Sequence, residues 1–139
     1  MIYGIGHDVV EIERMNRILK GSSGGRFLQR ILTAAERELP GAASRKAEFA
    51  AGRFAAKEAV SKAFGCGIGA KLAFDDIEIL PDEAGKPRVT LNPKAWDRLG
   101  WTGKARPEIH ISITHERSLA SAFCVLERAE GGLPEDRLG

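Results

Sequence analysis

One helical stretch constrains the rest of this chain. Arg53-Phe54-Ala55-Ala56-Lys57-Glu58-Ala59-Val60-Ser61-Lys62-Ala63-Phe64 contains no proline and only good or neutral helix formers, and glycines at 65, 67 and 69 then supply a stop. At 100° per residue, Phe49, Gly52, Ala56, Ala59, Val60 and Ala63 fall on one stripe. Four of those six are alanine or glycine, so a neighbour can come very close to this helix. Glu58 and Lys62 lie on the opposite face, one turn apart. They read either as a solvated i,i+4 ion pair worth about 0.3–0.5 kcal/mol, or as a carboxylate and an ammonium aimed into a phosphate site. The helix alone does not decide between the two.

At 139 residues, 43% hydrophobic and 29% charged, the chain suits one domain around one core. No apolar run approaches the ~20 residues that a membrane span needs. The start, Met1-Ile2-Tyr3-Gly4, lacks the basic and apolar regions of a signal peptide. Cys66 and Cys124 show neither metal spacing nor a disulfide framework, so a reduced, cytoplasmic setting is expected. The net charge of +2 is too small to imply nucleic acid. Its distribution is uneven: Arg14, Arg17, Lys20, Arg26 and Arg30 stand against the single acid Glu13 between positions 12 and 30. Such a patch either steers an acidic partner or forms a solvated helix face.

From Ile2 to Glu11 the pattern is a strand, with Ile2, Gly4, Gly6, Asp8 and Val10 on one face and Tyr3, Ile5, His7 and Val9 on the other. Asp8 is out of place among apolar neighbours, and Gly4 and Gly6 are expected to leave open space beside it. It can cap the following helix or ligate a metal. Residues 12–20 form an amphipathic helix, 21–25 a flexible break, and Phe27, Leu28, Ile31 and Leu32 a further helical turn or two. Thr33-Ala34-Ala35-Glu36 matches a capping box, Pro40-Gly41 ends that helix, and Ser44 is the expected N-cap of the long one.

Beyond the glycines, Ile77 to Leu80 and Val89 to Leu91 form a hairpin around Pro81-Asp82-Glu83-Ala84-Gly85-Lys86-Pro87. Asn92-Pro93 opens a short helix, and Trp96 and Trp101 are core or interface anchors. Ile109, Ile111 and Ile113 alternate with His110, Ser112 and Thr114 as a two-faced strand. Residues 118–126 read as a central strand covered on both sides. The domain is thus expected at 1–127, with 128–139 a frayed tail, and the fold class is α+β.

Asp8, Glu58 with Lys62, and His110 are the candidate site. Two carboxylates without a Cys/His cluster favour Mg²⁺, and a nearby lysine would neutralise phosphate charge. That set suits chemistry at a phosphoryl or pyrophosphate group. There is no P-loop and no Rossmann fingerprint, and Gly65-Cys66-Gly67-Ile68-Gly69 is only a weak phosphate-loop signal. A phosphoesterase acting on nucleotides and a basic, non-catalytic binding module also fit these residues.

Three blocks narrow the choice: Gly4-Ile5-Gly6-His7-Asp8-Val9-Val10-Glu11-Ile12, Arg53 to Ala63, and Ile109-His110-Ile111-Ser112-Ile113-Thr114-His115-Glu116. In this order and spacing, with the Asp82 to Pro87 hairpin, the chain resembles the holo-[acyl-carrier-protein] synthase type of 4′-phosphopantetheinyl transferase from about Met1 to Glu127. The resemblance implies an antiparallel sheet with a long central helix, assembled as a homotrimer with active sites at subunit boundaries. It implies transfer of 4′-phosphopantetheine from coenzyme A to a serine of apo acyl carrier protein, releasing adenosine 3′,5′-bisphosphate, in support of fatty acid biosynthesis. Asp8 and Glu58 would bind Mg²⁺. Glu58, Lys62 and His110 would be catalytic, with Glu58 the expected base through a metal-held water. Lys62, Ser61, Gly65 and His110 would contact coenzyme A. Arg14, Arg17 and Lys20, with Arg26 beside them, would meet the acidic carrier protein. Neither nucleic acid nor membrane is an expected partner. His7 stands where relatives commonly carry an aliphatic residue and is read as a packing variant.

Overall fold

The structure is a computed structural model that describes residues 1–103 and 105–128. In chain order its elements are β1 (Ile2–Glu11), α1 (Ile12–Lys20), α2 (Gly24–Ile31), α3 (Ala34–Arg37), α4 (Pro40–Ser44), α5 (Lys46–Ala63), a 3-10 turn (Phe74–Asp76), β2 (Ile77–Pro81), β3 (Pro87–Leu91), α6 (Pro93–Arg98), β4 (Glu108–His115) and β5 (Leu119–Glu127). β1, β5 and β4 form an antiparallel sheet in that order, and β2 and β3 pair as a separate hairpin.

The sheet receives α5 on one face, and small residues set how closely. A Cβ on Gly4 would overlap the carbonyl oxygen of Ala63, and one on Gly6 that of Ala59. The two glycines therefore do not leave open space beside Asp8; the helix backbone fills it. At the other end of α5, a Cβ on Gly52 would come 2.5 Å from Nε2 of His115 on β4. The helix thus crosses the sheet from β4 to β1. Its burial is wider than the stripe suggested. Ala55, Ala56, Ala59, Val60 and Ala63 join a core with Leu72, Ile77, Ile79, Trp96 and Trp101, while Ala50 and Ala51 join a second with Met15, Ile31, Leu32 and Phe74. Both tryptophans are core residues.

Local chemistry explains the helix ends. Thr33 and Glu36 form the expected capping box, and Asn92 caps α6 by accepting from the Lys94 N–H at 3.0 Å. After α5, Gly65 (φ +81°) and Gly67 (φ +67°) take left-handed conformations that L side chains rarely adopt. Several local expectations shift. Pro40 starts α4 as its first residue, since the missing N–H is not needed there. Ser44 closes α4, donating to the Pro40 carbonyl at 3.0 Å, and the N-cap of α5 is Arg45. Gly24 begins α2 inside the expected break, and its place is tight, since a side chain there would overlap the Leu19 carbonyl. Asp8 does not cap α1, whose N-cap is Glu11 without a side-chain bond.

A register shift between Ile2 and Gly4 turns Tyr3 onto the core side, edge-on to Trp101 at 5.3 Å. β5 is central, but α5 covers only one of its faces. On the other face Phe123 is 51% and Ile5 60% exposed, with Val9 and Leu119 beside them. Arg128 is buried: its N–H donates to the Met1 carbonyl and its guanidinium lies over the Tyr3 ring. The rest of the expected tail, 129–139, lies outside the described residues.

Candidate active site

β1 brings Asp8 to the helix-facing side of the sheet, and α5 brings Glu58 and Lys62 to meet it. Lys62 donates from Nζ to Asp8 Oδ1 at 3.0 Å and to the His7 carbonyl at 3.2 Å. The ion pair that forms is therefore the long-range one, Lys62 with Asp8, across 54 residues of sequence. Asp8 and Glu58 line one cavity of about 520 Å³. Its apolar wall is Val10, Met15, Ile18, Phe27 and Phe54, and Arg14 and Glu11 stand at its polar side.

Partial burial pushes the Glu58 carboxyl above its ordinary value, the negative charge of Asp8 adds to this, and Lys62 opposes it. Like carboxylates facing one space gain from a cation between them. Their hard oxygen donors, with room for waters and phosphate oxygens, fit Mg²⁺. A diphosphate placed here would meet Arg14 of the cavity wall, with Lys62 beside it on Asp8.

The other expected contacts divide. Gly65 is exposed at the end of α5, three residues past Lys62. Ser61 is fully buried, and its hydroxyl donates to the Glu58 carbonyl at 2.7 Å. That hydroxyl faces into the protein, away from the cavity. Arg14, Arg17 and Lys20 are all exposed on α1, and Arg26 and Arg30 on α2, so the basic patch exists as a surface.

His110 is not brought to the other three within one chain. It sits on the sheet face away from α5, in register with Val125, whereas Asp8 is in register with Ala122 on the helix side. That is three residues along and two strands across, about 10 Å in each direction, on opposite faces. Its Nε2 lies 3.0 Å from Glu127 Oε1 and 3.5 Å from Glu108 Oε2. These three exposed groups come within 4.8 Å of one another, the spacing of possible cation ligands. A second cavity of about 490 Å³ runs beside His110, with Lys86 and Arg88 from β3 and its turn on its other side.

Sequence reasoning missed the pairing of Lys57 with Glu36. Lys57 stood beside Glu58 as one more charge in a helix, and Glu36 was accounted for by its capping box. Only the fold shows both side chains fully buried and 2.6 Å apart. Phe27 and Phe54, the aromatic wall, were also not singled out. Their periodicity marks them as core, and nothing in it distinguishes a cavity lining.

Comparison with known proteins gives one consistent result. Residues 4–124 match the 4′-phosphopantetheinyl transferase superfamily. The chain is 48% identical to a holo-[acyl-carrier-protein] synthase of Geobacillus kaustophilus, over 98% of this chain and 97% of that one. Its fold resembles the crystal structure of holo-[acyl-carrier-protein] synthase from Neisseria meningitidis, with a TM-score of 0.81 and 38% identity, over 92% of this chain and 100% of that one. It also resembles the Bacillus anthracis holo-(acyl-carrier-protein) synthase solved in complex with CoA (3′,5′-ADP), with a TM-score of 0.74 and 41% identity, over 93% and 99% of the two chains.

Proposed function

This chain belongs to the 4′-phosphopantetheinyl transferase superfamily, and we infer that it is a holo-[acyl-carrier-protein] synthase. It transfers 4′-phosphopantetheine from coenzyme A to a serine of apo acyl carrier protein and releases adenosine 3′,5′-bisphosphate. Relatives of that name match it along nearly the whole chain. The observation that carries the site assignment is that Asp8 on β1 lines one cavity with Glu58 on α5 and is bonded by Lys62 of the same helix.

The serine oxygen attacks the β-phosphorus of coenzyme A. The bond to the bridging oxygen breaks, and the nucleotide leaves with its α-phosphate. Mg²⁺ held by Asp8 and Glu58 supplies neutralising charge to the pyrophosphate when bound. Lys62 stabilises the charge that develops on the departing phosphate. Glu58 is the base for the serine proton, which it takes through a water rather than directly. Gly65, with no side chain, lets the backbone at the end of α5 approach the nucleotide. Ser61 contributes from inside, by bonding the Glu58 carbonyl at that helix end.

We assign His110 to the nucleotide phosphates of a neighbouring copy, with the chain acting as a homotrimer. Two features support this. His110 shares its sheet face with the exposed Ile5, Val9, Leu119 and Phe123, and a face of that kind usually marks an interface. It also lies on the opposite face of the sheet from Asp8, so within one chain the two residues do not face the same site. Arg14, Arg17 and Lys20 form the docking surface for the acidic carrier protein. Among the described residues no helix is long and apolar enough to cross a membrane. We place the enzyme in the cytoplasm, in fatty acid biosynthesis. The transferase unit is 1–127, with Arg128 packed against its edge.

Mass spectrometry of apo carrier protein incubated with the enzyme, coenzyme A and Mg²⁺ tests this reading. A gain of one phosphopantetheine is expected. Nucleotide release without that gain would make the protein a phosphoesterase instead.

A further inference from the structure

The surface that α5 buries is built mostly of small residues. Alanine or glycine occupies positions 50, 51, 52, 55, 56 and 59, all fully or nearly fully buried, with Val60 and Phe54 as larger neighbours. Backbone contacts at Gly4 and Gly6 set how closely the helix approaches the sheet, and methyl-sized ridges add little direction to them. Lys57 is the one charge fully buried on this helix. Its ammonium is fully buried and donates to three acceptors: the Ile31 carbonyl at 2.7 Å, Glu36 Oε1 at 2.6 Å and the Phe74 carbonyl at 3.0 Å. Glu36 is equally buried. It also accepts from the Thr33 N–H at 2.8 Å and, on its second oxygen, from the Ile79 N–H at 2.9 Å. The bonds therefore tie α5 to the end of α2, to α3, to the 3-10 turn and to β2.

A buried ion pair is poor evidence for stability, because well-packed apolar groups of equal volume often do as well. What apolar groups do not supply is direction, and here three donors meet three fixed acceptors. Arg53, one turn earlier, comes only to 3.8 Å of Glu36 through a buried Nε that has no hydrogen-bond partner, so it does not substitute.

We propose that the Lys57–Glu36 pair positions the catalytic helix: it fixes the rotation and height of α5 so that Glu58, the next residue, enters the cavity with Asp8 and Lys62 reaches the Asp8 carboxylate. A slip of one residue would swing Glu58 by about 100° and move it by about 1.5 Å. Lys57 and Glu36 are positioning residues, since neither touches substrate. The inference rests on reading Asp8 and Glu58 as the Mg²⁺ carboxylates.

Three variants and a control test it. Glu36→Asp keeps the charge and withdraws the carboxylate by one methylene. Lys57→Met keeps the unbranched stem, one atom shorter, and removes the ammonium. Leu91→Val thins the core on β3, opposite Ile77 in the hairpin, and removes none of the pair's hydrogen bonds. Mg²⁺ affinity is measured by titration calorimetry on the full chain, beside melting temperature and turnover per folded molecule. Glu36→Asp is expected to weaken Mg²⁺ binding about tenfold and to lower turnover, as a misplaced ligand would. Leu91→Val is expected to lower the melting temperature without moving either quantity. Lys57→Met, where it folds, should exceed Glu36→Asp. Wild-type Mg²⁺ affinity and turnover per folded molecule in Glu36→Asp would overturn the proposal, whether or not Lys57→Met folds. The third variant, Glu58→Gln, separates the two levels. If it keeps Mg²⁺ binding, the metal-site reading fails and takes this inference with it. If it loses binding while Glu36→Asp does not, the positioning inference alone is wrong.

Discussion

The carbonyl oxygen of Ala59 occupies the place where a side chain on Gly6 would begin. With the matching contact of Gly4 on the Ala63 carbonyl, it sets the spacing between the strand that carries Asp8 and the helix that carries Glu58. Because the obstructing atom is backbone, it cannot turn aside as a side-chain tip would. Gly6→Ala should therefore cost at least the ~1–3 kcal/mol typical of overpacking and should separate the two carboxylates. A urea titration reads the first effect and transfer to carrier protein the second. A variant with wild-type stability and turnover would mean that the close approach is not required.

Removing charge at the cavity should affect chemistry more than folding. Asp8→Asn and Glu58→Gln are each expected to lower turnover by about 10²–10³, the scale of losing one electrostatic contact to a transition state. Arg17→Glu, on α1 outside the cavity lining, should instead raise the carrier-protein KM, with a strong dependence on salt, and leave Mg²⁺ binding intact. The opposite ranking would favour a binding module over an enzyme.

Site sharing between copies has its own test. If His110 serves a neighbour, His110→Ala and Asp8→Asn subunits should complement each other when mixed and reassembled. Some sites would then combine an intact Asp8 with an intact His110. Activity of the mixture above that of either parent is the expected result, read by the same mass assay. A strictly additive mixture would place His110 in its own chain's site or outside the site altogether.

Glu58 gives a pH dependence of defined sign. Its folded value lies above the ordinary 4.5 of an unfolded glutamate, so the folded state binds the proton more tightly. Metal-free protein should lose stability as pH rises from the unfolded value through the folded one, and should then level off. Glu58→Gln removes that slope, and scanning calorimetry across the acid range compares the two. With Mg²⁺ present the trend should reverse for the wild type, since the ion needs the ionised carboxylate.

The two thiols should differ in reactivity. Cys124 is buried in the sheet, and burial pushes its thiol up to about 12. Cys66 is exposed in the glycine loop, with a smaller upward push from the same cause. A thiol reagent at mildly alkaline pH should label Cys66 in the native protein and reach Cys124 only after unfolding.

Much of this protein was decided locally and could be read without coordinates. The α5 stretch, the Thr33–Glu36 box, the hairpin around Gly85, the Asn92 cap and the two-faced strand from Glu108 are nearest-neighbour matters, because capping, turn geometry and side-chain alternation act within a few residues. Asp8 stood out as a charge among apolar neighbours, whereas Glu58 and Lys62 also had a local reading as an i,i+4 pair, and the family resemblance, not local pattern, favoured the three as one site. Tertiary structure alone decided which charges meet. It sent Lys62 to Asp8, buried Lys57 on Glu36, filled the space beside Gly6 with helix backbone, and put His110 on the far face of the sheet. Each of these depends on where two distant segments come to rest. That is set by the sum of many weak contacts over the whole chain, and the residues near either partner carry no record of it.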